Sequence, residues 1–274
     1  DIIMAMLNSL SGYPEWLPED RIVEQRMLQI IQETFELFGF TSLETRSVEP
    51  LNVILSKGET DKEIYCLRRL HATEEEADKN LGLHFDLTVP FARYVLENRS
   101  KLTFPFRRYH IQKAWRGERP GMGRYREFLQ ADIDIVDSHP LTVQSDIEIL
   151  QVMGRILSVL PIPTVNLHIN NRKLLDGFYR ALEIEKIHEV LRLVDKLDKM
   201  GEEKVKLSLV DDLKLSPNVA AKCVELGKIR TSDGVALQEQ VKGFNLSHPL
   251  LTEGLDGLCN VLTVLNSTGS SNVI

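Results

Sequence analysis

The feature that most constrains this chain is the stretch from Arg107 to Val136, RRYHIQKAWRGERPGMGRYREFLQADIDIV. Two runs with period-two side chains, Arg108 to Arg116 and Tyr125 to Val136, flank the turn formers Gly117, Pro120, Gly121 and Gly123. That pattern predicts a long antiparallel hairpin. Along the second strand Arg126, Phe128, Gln130, Asp132 and Asp134 share one parity, and Tyr125, Glu127, Leu129, Ala131, Ile133 and Ile135 share the other. One face is thus largely apolar and packable, while the other carries a guanidinium, a ring, an amide and carboxylates. Between Arg107 and Arg126 seven Lys or Arg residues stand against one acid, Glu118, in a chain whose net charge is −7. A solvated basic edge strand, guarded by charge against mispairing, is one reading. An anion-binding surface is the other, and it accounts for Phe, Gln and Asp interleaved with Arg, which a guard does not need.

Composition sets the bounds around this hairpin. With 274 residues, 43% hydrophobic and 27% charged, the chain has length for one large domain or two unequal ones. No apolar run approaches the roughly 20 residues of a membrane helix, and no basic, apolar leader is visible, so the expectation is a cytoplasmic protein with no membrane partner. Cys66, Cys223 and Cys259 are odd in number and far apart, which suits buried or idle thiols better than zinc ligands or disulfides. The chain begins at Asp1 and ends at NSTGSSNVI, where a strand looks about to begin, and it reads as a piece of a longer protein.

Helical spacing of apolar residues from Pro18 to Phe38, with Gly39 as its cap, predicts an amphipathic helix, and Phe40 to Val48 a strand. Asp61 to Leu70 alternates weakly, and His71 to Asn80 is polar and acidic, as a solvated loop would be. In Leu81 to Val95, LGLHFDLTVPFARYV, Pro90 should close a strand and start a short helix. Asp86 and Thr88 would then either cap that helix or accept hydrogen bonds from a ligand ammonium group. Thr142 to Leu160 reads as a helix and Val165 to Ile169 as a strand. Strands following one another without crossover helices predict an α+β fold, a mainly antiparallel sheet flanked by helices. Neither GxGxxG nor GxxxxGK[ST] occurs, so a nucleotide would have to be held by side chains such as Arg. From Asn171 onward the character turns helical, over Arg172 to Leu182, Ile184 to Leu197, Pro217 to Leu226 and Leu250 to Leu265. The alternating charges of Asp195 to Lys206 mark a solvated helix face, and a separate helical module from about Leu174 to Leu250 is expected.

The hairpin resembles motif 2 of the class II aminoacyl-tRNA synthetases, and in particular the histidyl-tRNA synthetase family, through WRGERPGMGRYREFLQADIDI. The segment from Ser11 to Leu51 is similar to that family's N-terminal region with motif 1, GLHFDLTVPFARYV to its amino-acid-binding strand, and INNRKLL to the lead into its helical insertion. Four segments occur in the family's order. The resemblance implies a class II catalytic core at 1–173, a helical insertion at 174–250 and a return towards the core at 251–274. It implies that Arg116 holds the α-phosphate of ATP, Glu118 reads the adenine amino group, Arg124 reaches the outer phosphates and Phe128 stacks on adenine. It implies that Asp86, Thr88 and Gln130 hold the α-ammonium group of L-histidine and that Asp134 accepts from its imidazole. Gln130 and Asp134 lie roughly 13 Å apart along a strand, so they would serve opposite ends of a pocket. Asp132 shares their parity without a role.

The implied reaction is histidine–tRNA ligation, with ATP as substrate, Mg²⁺ as its ion, tRNA(His) as acceptor and a homodimer as the assembly. The family's second histidine-binding motif, motif 3 and the anticodon-binding domain would lie beyond Ile274. This stretch alone is therefore expected to be inactive and the full-length protein active. The rival from another class is a silent relative that serves as the histidine-sensing regulatory subunit of ATP phosphoribosyltransferase. Its members lose parts of motif 2 or of the insertion, whereas here Arg116, Glu118, Arg124, Gln130 and Asp134 are all present.

Overall fold

The computed structural model describes residues 9–57, 61–71 and 80–267, and its contacts fall into two compact units, Asp1–Leu141 and Thr142–Ile274. The expected loop at 71–80 and the strand expected at the end of the chain lie almost wholly outside the described residues.

The first unit is built on the hairpin. Helix α1, Pro18–Leu37, starts with Pro18 in its first turn and with Glu19 and Asp20 beside its positive end. It stops at Gly39, whose φ of +78° lets the chain reverse. Short elements follow: β1 (Thr41–Ser42), β2 (Val48–Pro50), α2 (Leu51–Ile54), β3 (Cys66–Leu67), β4 (Leu81–Leu83) and α3 (Thr88–Asn98). The hairpin strands are β5, Phe106–Trp115, and β6, Glu127–Val136. They form two three-stranded sheets, ordered β1-β5-β6 and β2-β4-β3. All pairings are antiparallel except β1 with β5, which is parallel. Helix α1 closes one side of the larger sheet, with Phe35 against Tyr109 at 5.5 Å between ring centroids and the Tyr109 hydroxyl donating to Glu36 at 2.7 Å.

The α+β, mainly antiparallel expectation holds. Two local expectations do not. The single strand foreseen at Phe40 to Val48 is split into β1 and β2, because Thr45 and Ser47 turn aside to bond the buried Gln112 side chain. The strand foreseen up to Pro90 ends at Leu83, since Asp86 already turns the backbone into α3.

The second unit is a helical bundle: α4 (Val143–Val159), α5 (Arg172–Ala181), α6 (Ile187–Val194), α7 (Leu197–Met200), α8 (Glu202–Asp211), α9 (Pro217–Lys228), α10 (Gly234–Lys242) and α11 (Pro249–Ser267). Side chains start three of them: Asn171 caps α5, Ser216 caps α9 and Asp233 caps α10. Helices α5 and α11 cross with backbones in contact. A Cβ on Gly177 would sit 2.1 Å from the Leu251 nitrogen, and one on Gly254 would sit 2.1 Å from the Leu174 nitrogen. Around that crossing lies one apolar core that includes Phe178, Tyr179, Leu209, Leu258 and Leu262. Residues 165–169 form no described strand, and α10 occupies a stretch for which no helix was expected. The contact division falls at Leu141, ahead of the boundary expected near Leu174, and α4 and α11 both pack within the helical unit. Cys223 is buried here, and burial pushes its thiol up to about 12, while Cys66 is exposed. No described helix is long and apolar enough to cross a membrane.

Candidate active site on the hairpin

Strands β5 and β6 pair without a break from Phe106 opposite Val136 to Trp115 opposite Glu127. The register is set at the tip, where Gly121 and Arg124 exchange backbone bonds of 3.1 and 3.0 Å around Gly123, whose φ is +71°. Opposite residues of an antiparallel pair project to the same side. Arg108 with Asp134, His110 with Asp132, Gln112 with Gln130 and Ala114 with Phe128 therefore share a face. This is the mixed polar face expected from the parity of the second strand, now with its partners from the first.

At the tip end of that face, Arg116 is clamped. Its guanidinium carbon lies 4.6 Å from the Phe85 ring centre and 5.0 Å from that of Phe128. Its Nε donates to the Phe85 carbonyl at 3.3 Å and its Nη2 to Gln130 Oε1 at 3.5 Å. Gln130 in turn donates from Nε2 to both Asp132 oxygens, at 3.1 and 3.0 Å. Asp132 thus gains the part that sequence parity left empty: it orients the Gln130 amide.

At the far end, Arg108 is wholly buried and forms an ion pair with Asp134, whose side chain is 34% exposed. The Phe91 ring of α3 covers the guanidinium at 4.0 Å. Burial pushes Arg108 below its ordinary value, against the pull of Asp134 and then Asp132. Burial pushes the Asp134 carboxyl up, Arg108 pulls it down, and Asp132 pushes it up again. Next along the strand, His110 Nε2 lies 2.5 Å from Gln112 Oε1, and burial pushes this histidine towards its neutral form.

The loop residues sit differently. Glu118 and Arg124 are paired with each other at 2.8 Å, so a ligand using either must exchange that contact. Arg126 is structural: its Nε donates to the Glu118 carbonyl at 3.1 Å and its backbone N–H to the Gly12 carbonyl at 2.7 Å. Asp86 is buried and accepts from the Val89 N–H at 3.2 Å, the capping geometry that was one of its two readings. Thr88 is exposed at the start of α3, and among the described residues no hydrogen bond joins it to the hairpin. Arg116, Phe128 and Gln130 are thus brought together by direct contact, with Asp134 on the same face; Asp86 and Thr88 arrive on a neighbouring element.

Two aspects differ from the sequence reading. The polar face is the more buried one, with Arg108 and His110 at 0% exposure, whereas Leu129 at the opposite side is 36% exposed. The polar face is covered, with the Phe91 ring over Arg108, while Lys113 on the other face of the same strand is exposed; as β5 is the middle strand, its basic residues are no edge guard. The sequence reading also passed over Phe85, Phe91, His110 and Gln112 and gave Arg108 no role. Alternation along β5 was the available signal, since Arg108, His110, Gln112 and Ala114 follow one parity.

Comparison with known proteins shows the family. The family model described as histidyl-tRNA synthetase matches residues 12–273. The chain is 50% identical over 270 residues to the histidine–tRNA ligase of Cutibacterium acnes, covering 96% of this chain and 59% of that protein. It is 48% identical over 274 residues to that of Micrococcus luteus, covering 96% of this chain and 60% of that protein. The crystal structure of histidyl-tRNA synthetase from Nostoc sp. PCC 7120 matches with a TM-score of 0.83 at 31% identity, over 98% of this chain and 60% of that one. A structure from Bacillus halodurans described as an ATP phosphoribosyltransferase regulatory subunit/histidyl-tRNA synthetase has a TM-score of 0.79 at 20% identity, over 98% of this chain and 67% of that one, a likeness of fold alone. The chain spans about six tenths of the length of the curated relatives it matches.

Proposed function

The chain belongs to the histidyl-tRNA synthetase family, and from that premise we propose that the protein carrying it is a histidine–tRNA ligase whose adenylation site is the polar face of the hairpin. The observation that carries the reading is Arg116, a guanidinium held between Phe85 and Phe128 on the same face as Gln130 and Asp134.

The chemistry asks for such a group. The histidine carboxylate attacks the α-phosphorus of ATP, histidyl-adenylate and pyrophosphate form, and the histidyl group then passes to tRNA(His). Two anions have to meet, so the requirement is alignment and charge neutralisation, with no protein nucleophile. A guanidinium already fixed by two rings and a backbone carbonyl needs little reorganisation when charge develops on the phosphate. Phe128 offers a ring on which adenine can stack next to that cation. Glu118 reads the adenine amino group and Arg124 the outer phosphates, once their mutual ion pair is exchanged. Gln130, oriented by Asp132, holds the α-ammonium group together with Asp86 and Thr88, and Asp134 accepts from the imidazole.

Mg²⁺ accompanies ATP in this reading. Among the described residues no three His, Cys, Asp or Glu side chains converge, which does not fit an ion caged by this chain, so no step is routed through it. The helical insertion expected from about Leu174 to Leu250 would hold the tRNA acceptor arm, and the protein would act as a cytoplasmic homodimer. Deletion of that insertion should raise the KM for tRNA; an unchanged KM would remove this part.

The test is histidine-dependent ATP–pyrophosphate exchange by the full-length protein. Exchange specific for histidine supports the ligase. No exchange, with a tight complex formed instead with an ATP phosphoribosyltransferase, would replace it by the regulatory-subunit reading.

A further inference from the structure

A buried guanidinium is expensive unless something needs it there. Arg108 is 0% exposed, on the middle strand of its sheet, and among the described residues its one ion pair is with Asp134. Phe91 closes the space over its guanidinium at 4.0 Å. Asp134, by contrast, keeps 34% of its side chain exposed. The cation stands behind and the carboxylate in front, so anything that meets Asp134 from the open side meets a group already backed by fixed positive charge.

The neighbours leave that task to Arg108. Gln112 Nε2 donates to the Thr45 carbonyl at 2.8 Å and to Ser47 Oγ at 3.0 Å, which fixes the amide orientation. Its Oε1 must then accept, so His110, 2.5 Å away, carries its proton on Nε2. Burial pushes that histidine towards its neutral form. Asp132 is engaged by the Gln130 amide. The charged or titratable groups facing Asp134 are Arg108 and Asp132, with His110 next to both. Of these, Arg108 is the cation.

We infer that Arg108 is a positioning residue: it holds the Asp134 carboxylate aimed at the imidazole of the histidine substrate, and so contributes to amino-acid specificity. This rests on the histidine–tRNA ligase reading. A carboxylate fixed from behind can accept from the imidazole N–H, and an amino acid with no donor at that place leaves it one partner short, which is how polar pockets reject analogues. Sequence reasoning could not reach this, because it needs the register that sets Arg108 opposite Asp134.

The experiment is steady-state ATP–pyrophosphate exchange on the full-length protein and its Arg108→Met and Arg108→Lys variants, with histidine and ATP varied separately and pH scanned. Arg108→Met should raise the KM for histidine about tenfold or more, as loss of an outer partner does for a ligand-binding group. The KM for ATP should change less than about twofold, since Arg116 and Phe128 are untouched. Without the cation Asp134 protonates more readily, so the acid limb of kcat/KM for histidine should move to higher pH. Arg108→Lys, which keeps a charge, should bring the limb and the KM part of the way back. If Arg108→Met does not fold, the Lys variant decides on the same two readouts. An unchanged KM for histidine and an unmoved acid limb would overturn the proposal while leaving the ligase reading intact, as would equal losses for both substrates without rescue by Lys. No histidine-dependent exchange in the unmodified protein would overturn the ligase reading, and this proposal with it.

Discussion

The two units bury different things. Among the described residues every buried polar or charged side chain belongs to the hairpin unit: Thr34, Thr45, Glu49, His84, Asp86, Arg108, His110 and Gln112. Of the buried hydrophobic residues seven are in that unit and twenty-three in the helical one. A helical bundle whose buried side chains are almost all apolar gains stability from each of those. A sheet that buries guanidinium, imidazole and carboxylate gives up part of that gain, and such a loss is kept where the groups act on a ligand. The contrast separates a region organised for chemistry from one organised for packing.

The contrast can be broken most sharply at Arg116. Arg116→Ala should lower histidine-dependent exchange by a factor of about a hundred to a thousand, the usual scale for a lost electrostatic donor, with the unfolding midpoint nearly unchanged. A loss of stability with near-normal exchange would reverse the assignment. Gly254→Ala should do the opposite in the helical unit. Its methyl would meet the Leu174 backbone at 2.1 Å, and the overpacking should cost about 3 kcal/mol in urea unfolding of that unit while exchange per folded molecule stays near normal. Phe128→Leu sharpens the picture within the site. It removes the ring under Arg116 and should raise the KM for ATP about tenfold, leaving that for histidine within about threefold. The smallest effect belongs to the surface of the helical unit. Lys228 pairs with Glu202 at 2.7 Å with both side chains about half exposed, and Lys228→Ala should shift stability by less than about 0.5 kcal/mol.

Much of the first unit was legible in the sequence because its signals are local. Runs of period-two side chains, Arg108 to Arg116 and Tyr125 to Val136, on each side of a Gly-rich tip specify a hairpin, and Pro18 with Gly39 brackets a helix. The placement of Phe128, Gln130 and Asp134 on one face followed from parity and matches the observed register. What was not legible depends on pairing across distance. The two residues of β1 carry no periodicity, so their parallel pairing with Arg108 and Tyr109 has no local trace. Nothing local marks Gly177 and Gly254 as the places where α5 and α11 touch. That Asp86 accepts from the Val89 N–H was one of two readings open in the sequence, and this bond leaves its reading as a ligand group open. Arg108 looked like one more surface charge, and the Phe91 ring that covers it comes from a different element.

The most direct measurement is a crystal structure of the full-length protein with histidine and a non-hydrolysable ATP analogue. The account predicts the imidazole at Asp134, with Arg108 still paired behind it, and the α-phosphate at Arg116 between Phe85 and Phe128. Ligand density held by the helical unit, or an imidazole bound away from Asp134, would contradict it.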